Sequence, residues 1–291
     1  MATSMAEAHQ VGHGTMVVFP NAKVNVGLQV RRRRDDSFHD IESLFLPIPW
    51  HDSLELEILN AGQDSTIVTH GLSIPGDDDN NLILKAHALL SESHDLPPVR
   101  FHLAKAIPMG AGLGGGSADG AFALVALNRL LGLGIETPQL EGLAARLGSD
   151  CPFFIRNACA HVIGRGEHIK PVELQLGGWW IALIHPGVHV PTAAAFSWVT
   201  PDDARPNLLK WTGSSPSEWD DTLRNDFTLP VSERHPVIGE ALQRLKDHGA
   251  TFTDMSGSGS TVFGFFHEAP PAELLQGCPV DWTIWQGCFP A

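Results

Sequence analysis

Pro108-Met109-Gly110-Ala111-Gly112-Leu113-Gly114-Gly115-Gly116-Ser117-Ala118 is the stretch on which the reading of this chain turns. It lies between a strand-like run, Val99–Ala106, and an apolar run at helical spacing from Ser117 to Leu131 that carries Phe122, Leu124, Val125 and Leu127. Five glycines fall within residues 110–116. Glycine admits positive φ and has no Cβ, so successive backbone N–H groups can converge on an anion while the following helix adds the positive end of its dipole. A polyphosphate is the natural guest. One or two glycines suffice for a tight turn, and each costs about 0.5–1 kcal/mol against alanine in regular structure, so a turn alone leaves the run unexplained. Ser117 either caps the helix or turns its hydroxyl toward a phosphate or a bound Mg²⁺.

Two familiar phosphate binders are excluded by context. Gly110 to Gly115 matches GxGxxG, but a dinucleotide-binding unit wants an acidic residue at the end of a second strand about 20 residues on, where Leu130–Ile135 is a helix end and a turn. A Walker loop requires lysine immediately before Ser117, and Gly116 stands there. Any cation that neutralises the phosphates therefore comes from elsewhere in the chain.

The bulk properties frame the same reading. A chain of 291 residues predicts two domains at about 150 residues each. With 43% apolar and 18% charged residues it is a packed globular protein. A net charge of −14 argues against nucleic acid as a partner. Arg31, Arg32, Arg33 and Arg34 sit beside Asp35 and Asp36 in what reads as a solvated hairpin turn. Four cysteines with no CxxC pair fit a reducing cytoplasm rather than a disulfide scaffold. The histidines lack the short paired spacings that zinc sites favour, so no structural metal is predicted. No apolar run approaches the ~20 residues that span a bilayer, so no membrane role is predicted. Met1 to Gly14 reads as a floppy leader with neither signal-peptide nor transit-peptide character.

Alternation and apolar runs predict strands at Val17–Phe19, Lys23–Val30, Ile41–Ile48 and Leu54–Ile58, an antiparallel opening to the chain. Asn80 and Asn81 cap a helix carrying Leu82, Leu84, Ala88 and Leu89. The second half reads as strand Trp179–Ile184, helix Pro236–Lys246, strand Val262–Phe266, helix Pro271–Leu275 and strand Trp282–Trp285. Strand and helix thus mix in an α+β arrangement. Glycines at Gly164 and Gly166, after the strand-like Ala160–Ile163, place the expected boundary between domains 16–163 and 164–291.

Pro108 to Ala118 resembles the phosphate loop of the GHMP kinases, the superfamily of galactokinase, homoserine kinase and mevalonate kinase. Pro20-Asn21-Ala22-Lys23-Val24-Asn25-Val26-Gly27-Leu28 resembles its first motif, and Asp254-Met255-Ser256-Gly257-Ser258-Gly259-Ser260-Thr261-Val262-Phe263 its third. Four segments narrow the resemblance to the branch that phosphorylates the 2-hydroxyl of a cytidine diphosphate-linked methylerythritol in the non-mevalonate route to isoprenoids. They are Lys23-Val24-Asn25, Arg34 to His39, Gly148 to Phe154, and His185 to Thr192 followed by Phe196.

The resemblance implies a two-domain GHMP kinase fold, with an N-terminal domain like ribosomal protein S5 and a ferredoxin-like C-terminal domain. It implies ATP accompanied by Mg²⁺, held along Pro108, Met109, Gly110, Ala111, Gly112, Leu113, Gly114, Gly115, Gly116, Ser117 and Ala118, with no dedicated protein metal ligand. Asp150 would take the proton of the attacking hydroxyl while Lys23 holds hydroxyl and carboxylate together. Read without the resemblance, Asp150 is equally a helix cap, and Lys23 is a lysine on a sheet face.

Phe38 would stack on cytosine and His39 would hydrogen-bond its edge, with Phe196 over the opposite face. Position 38 is commonly tyrosine in the branch, and this chain has no tyrosine. Asn25, Thr192, Gly257 and Ser258 complete the expected substrate contacts, and the protein is expected to be a cytoplasmic monomer or homodimer acting on a small molecule. Two alternatives stay open at this point: another small-alcohol kinase of the superfamily, of mevalonate or homoserine type, and a ligand-binding protein that keeps the fold without the chemistry.

Overall fold

The computed structural model describes residues 8–12, 14–77 and 80–291. The chain divides into two compact units that alternate along the sequence. One comprises the chain up to Ala22, His51–Met109 and Gly114–Ala158; the other comprises Lys23–Trp50, Gly110–Leu113 and Cys159–Ala291. The sequence expectation places a single cut after residue 163, whereas the strand that carries Lys23 and the middle of the glycine loop belong with the later residues.

The first unit is a five-stranded sheet with four helices. Its strands are β1 (Ala8–Gly12), β2 (Thr15–Val18), β5 (Ser53–Ile58), β6 (Thr66–Gly71) and β7 (Val99–Lys105), in the order β1-β2-β5-β7-β6. Residues 8–12 correct the expectation of a floppy leader: they pair antiparallel with β2, Ala8 opposite Val18. Residues 1–7 and His13 lie outside the described residues. β6 pairs parallel to β7 and is exposed along most of its length. Its polar sequence gives no half-buried alternation, which is why pattern reading passes over it.

β7 alternates cleanly, with Val99, Phe101, Leu103 and Lys105 buried. That alternation carries the Lys105 side chain inward at the end of the strand. The helices are α1 (Leu82–Ser91), α2 (Gly115–Leu130), α3 (Thr137–Leu147) and α4 (Cys151–Arg156). Asn81 caps α1 as expected, its side chain accepting from Ile83 N at 3.0 Å. α2 is buried continuously from Ala118 to Leu127, so its apolar residues cover every face. It passes so close to α1 that a Cβ at Gly120 would meet Leu82 Cβ at 2.8 Å.

The second unit contains two four-stranded sheets. One has the order β3-β4-β8-β9, from β3 (Asn21–Arg33), β4 (His39–His51), β8 (Ala160–Gly164) and β9 (His168–Pro171). The other has the order β11-β12-β10-β13, from β10 (Trp180–His185), β11 (Phe252–Met255), β12 (Val262–Phe266) and β13 (Thr283–Cys288), all antiparallel. The opening strands expected to form one sheet are thus shared between two.

Helices α5 (Thr192–Ser197), α6 (Thr228–Arg234) and α7 (Pro236–Asp247) complete this unit with 3-10 helices at Leu208–Trp211 and Ala272–Leu275, the second within the helix expected over Pro271–Leu275. α7 buries Ile238, Ala241 and Leu245, spaced three and four residues apart, in a core with Ile184, Phe227 and Val262. Truncating a leucine in such a core costs about 2–5 kcal/mol. Among the described residues no helix is long and apolar enough to cross a membrane.

Candidate active site

In the second unit the glycine loop is held by its carbonyls. Ala111 O accepts from Thr261 N at 3.2 Å, Gly112 O from Ser256 Oγ at 2.7 Å and Leu113 O from Lys23 N at 2.9 Å. In a trans peptide the N–H points opposite to the carbonyl of the preceding residue. With three successive carbonyls held by protein, the N–H groups of residues 112 to 114 face the other way, and among the described residues no protein acceptor takes them. The approach requires glycine: at Gly112, φ is +80° and a Cβ would stand 2.0 Å from Ser256 O. Such a row of outward N–H groups is an anion-binding concavity.

Lys23 lies beside this strap and is 3% exposed. Its ammonium donates to Asn25 Oδ1 at 2.6 Å and sits 4.6 Å from the centroid of the Phe45 ring. Asn25 Nδ2 donates to Ser43 Oγ at 3.0 Å, and Ser43 donates to Gly27 O at 2.7 Å. Asn25, a sequence candidate for substrate contact, therefore commits its side chain to orienting Lys23. Ser256 joins the same network by accepting from Asn25 N at 3.2 Å.

The turn after β11 presents Gly257 and Ser258. Asn225 Nδ2 donates to Met255 O and Gly257 O, both at 2.7 Å, and fixes that turn from below. Buried Asp254 accepts from Asn225 N at 2.7 Å, and burial pushes its carboxyl up to about 6. Ser258 Oγ lies 3.0 Å from Thr192 Oγ1, so these two candidates stand together. His39 stacks on Phe196 with centroids 4.7 Å apart and planes at 15°. Burial, then the charge of Arg33, pull the His39 imidazole below its ordinary value of 6.5. A neutral ring with one donor and one acceptor nitrogen suits the edge of a base. Phe38 is not in that stack; its ring lies under the guanidinium of Arg165.

In the first unit α2 begins at Gly115 with Gly114 as N-cap at φ +70°, no capping side chain and no acid in its first turn. The capping alternative for Ser117 is not realised: its hydroxyl hydrogen-bonds the Cys151 thiol, which burial pushes up to about 12. Beneath this turn lies an ion cluster that the sequence reading missed. Lys105 Nζ pairs with Asp52 and with Asp119 Oδ2, the latter at 3.0 Å. Asp52 Oδ1 also accepts from Ala106 N at 2.6 Å and Ile107 N at 2.9 Å.

A Cβ at Gly115 would stand 3.0 Å from Lys105 Nζ, and one at Gly116 would stand 3.1 Å from Met109 Cε. The loop's later glycines therefore make room for the lysine and the methionine. Asp119 is the single acid of α2, a signal that points to it. Burial lifts its carboxyl to about 7 against the pull of Lys105, and its Oδ1 has no hydrogen-bond partner among the described residues. Thr69, Asn81, Met109, Gly116 and Asp119 line a cavity of about 150 Å³ beside the loop. Asp150 stands at the N-cap position of α4 without a capping hydrogen bond from its side chain. Lys23 and Asp150 fall in different units.

This geometry coincides with known sequence families. Residues 81–157 match the GHMP kinases N terminal domain and residues 204–278 the GHMP kinases C terminal domain. A protein of Parabacteroides distasonis named 4-diphosphocytidyl-2-C-methyl-D-erythritol kinase is 42% identical over 273 residues, 94% of this chain and 99% of that one. The chain belongs to the GHMP kinase family. A Bacteroides fragilis relative of the same name is 44% identical to this GHMP kinase over 86% of the chain and 92% of its own length. The crystal structure of a 4-(cytidine 5′-diphospho)-2C-methyl-D-erythritol kinase superposes with a TM-score of 0.77 at 32% identity, covering 94% of this chain and 98% of that one.

As in any GHMP kinase the phosphoryl donor is ATP, and the residues present fit a polyphosphate. In the second unit a Cβ at Gly112 would run into Ser256 O, so glycine is what lets the strap lie against that turn with its N–H groups facing away; in the first unit the first turn of α2 leaves its N–H groups without a capping side chain. Among the described residues no group of three or more His, Cys, Asp or Glu side chains forms a metal site.

Proposed function

We propose that this GHMP kinase transfers the γ-phosphoryl group of ATP to the 2-hydroxyl of 4-diphosphocytidyl-2-C-methyl-D-erythritol, giving the 2-phosphate and ADP in the non-mevalonate route to isoprenoid precursors. The observation that carries the reading is the shared name of relatives that match nearly end to end. The outward N–H groups of residues 112 to 114 receive phosphate oxygens, and Mg²⁺ arrives with the nucleotide. The cavity beside Met109 and Gly116 suits the nucleoside end of the donor.

In the reaction the acceptor oxygen bonds to the γ-phosphorus as the bond from that phosphorus to the β,γ-bridging oxygen breaks. Asp150 takes the proton of the hydroxyl. Lys23, held by Asn25 and flanked by the Phe45 face, supplies a fixed cation where negative charge gathers, in place of the missing Walker lysine. Its near-complete burial keeps that charge poorly screened by salt and water. His39 and Phe38 recognise the cytosine, with Phe196 behind His39. Thr192 and Ser258 contact the alcohol.

Phosphorus NMR of enzyme, Mg-ATP and the cytidine-linked alcohol tests the assignment. A new phosphomonoester should appear as the ATP γ resonance declines. Asp150→Ala should slow its appearance about 10²- to 10⁴-fold, the usual worth of general-base help, with little change in CDP affinity. An undiminished rate in the variant would remove Asp150 from the mechanism.

A further inference from the structure

The two phenylalanine rings expected beside the base, Phe196 and Phe38, differ in what holds them. Phe196 meets the Phe227 ring edge-on, with centroids 4.8 Å apart and planes at 84°, and Phe227 is itself buried in the core. Phe38 projects from the turn between β3 and β4 and is 51% exposed. The turn's backbone is fixed: Ser37 adopts φ +68°, Phe38 N donates to Asp36 Oδ1 at 3.1 Å, and Arg34 N donates to Phe38 O at 2.8 Å. The ring itself has no hydroxyl by which to be tethered.

What holds it is a cation. The guanidinium carbon of Arg165 sits 3.7 Å from the Phe38 ring centroid. Arg165 comes from the turn between β8 and β9, where Gly164 at φ +77° brings the Glu167 carboxylate to within 2.8 Å of where a Cβ would stand, and that carboxylate accepts from Arg165 N at 2.5 Å. Of the neighbouring arginines, Arg31 pairs with Glu42, Arg32 with Asp40, and Arg34 with Asp36 and Asp40, while Arg33 has no ion pair among the described residues and sets its charge by His39. Arg165 has no ion pair among the described residues, so its planar face is committed to the ring.

We propose that Arg165 is a positioning residue for base recognition, fixing the Phe38 ring by stacking on one face so that the other receives the cytosine of the substrate. The inference rests on the cytidine-linked substrate assigned above. An exposed aromatic on a turn must otherwise be ordered when ligand binds, and ordering it beforehand removes that cost. The guanidinium covers one face only, so the ring keeps a free face for stacking. Lysine in its place keeps a cation over the ring, whereas alanine removes it.

The test is a double-mutant cycle read by the KM of the cytidine-linked substrate and by CDP and UDP titrations. Arg165→Ala should raise KM and the CDP Kd about 2- to 5-fold, the worth of an exposed cation–π contact, with kcat unchanged. Arg165→Lys should restore most of the loss. In a Phe38→Leu background, Arg165→Ala should have no further effect. An unaltered KM in Arg165→Ala, with the parent still preferring CDP over UDP, would overturn the inference alone. A loss that persists in the Phe38→Leu background would overturn it in favour of direct contact with the diphosphate. A parent protein that binds UDP as well as CDP would overturn the cytosine assignment, and the inference with it.

Discussion

A lysine with 3% of its surface exposed needs its charge met, and Lys23 meets it with an amide oxygen and an aromatic face. The glycines around it follow from close approach. Gly112→Ala forces a Cβ against Ser256 O and gives up the ease of a positive φ, so it should raise KM for ATP at least tenfold and cost about 1–2 kcal/mol of stability from the backbone alone. Initial rates and a urea melt check both, and a variant with unchanged ATP KM would mean that the strap does not bind the donor. At this scale the sequence was most legible where the cause is local. A run of glycines announces a missing Cβ wherever it occurs. The network around Lys23 was harder: Asn25 lies in the same strand and Ser256 in the third motif, but Ser43 arrives from a distant segment with nothing near it in sequence to mark the network.

Two elements, β7 and α2, are locked together by Lys105 between Asp52 and Asp119. Three buried charges leave one carboxylate uncompensated, and burial accordingly raises the Asp119 carboxyl to about 7. The sign follows from proton counts. Between the ordinary aspartate value of 3.8 and about 7, the unfolded chain has lost the proton that the folded chain keeps, so stability falls as pH rises through that window. Asp119→Asn should flatten this part of the profile, and its melting temperature should drop less between pH 5 and pH 8, as scanning calorimetry would show. Parallel slopes in the two proteins would assign the pH response to other groups.

Long, strongly patterned elements were legible: α2, α7, β4 and β7 lie within a few residues of their expected spans. β6 was not, because an exposed parallel edge strand needs no apolar face, nor was β1, whose pairing with β2 rests on backbone hydrogen bonds. α4 covers only Cys151–Arg156, too short for a helical period to declare itself.

At the scale of the molecule, the two units each draw on three stretches of sequence, so a cut at one glycine-rich turn cannot separate them. Family resemblance reached the whole chain because its motifs are the places where these stretches are pinned: Lys23 N to Leu113 O, and Ser256 Oγ to Gly112 O. In the proposed function those pins serve any phosphoryl donor. The proposed acceptor site lies elsewhere, where His39 stacks on Phe196 and Phe38 lies under Arg165. ADP release with Mg-ATP, run in parallel with 4-diphosphocytidyl-2-C-methyl-D-erythritol, mevalonate, homoserine and galactose, tests that division most directly. Turnover confined to the cytidine-linked alcohol is the expected result. Turnover with any of the other three, or with none of the four, would contradict it.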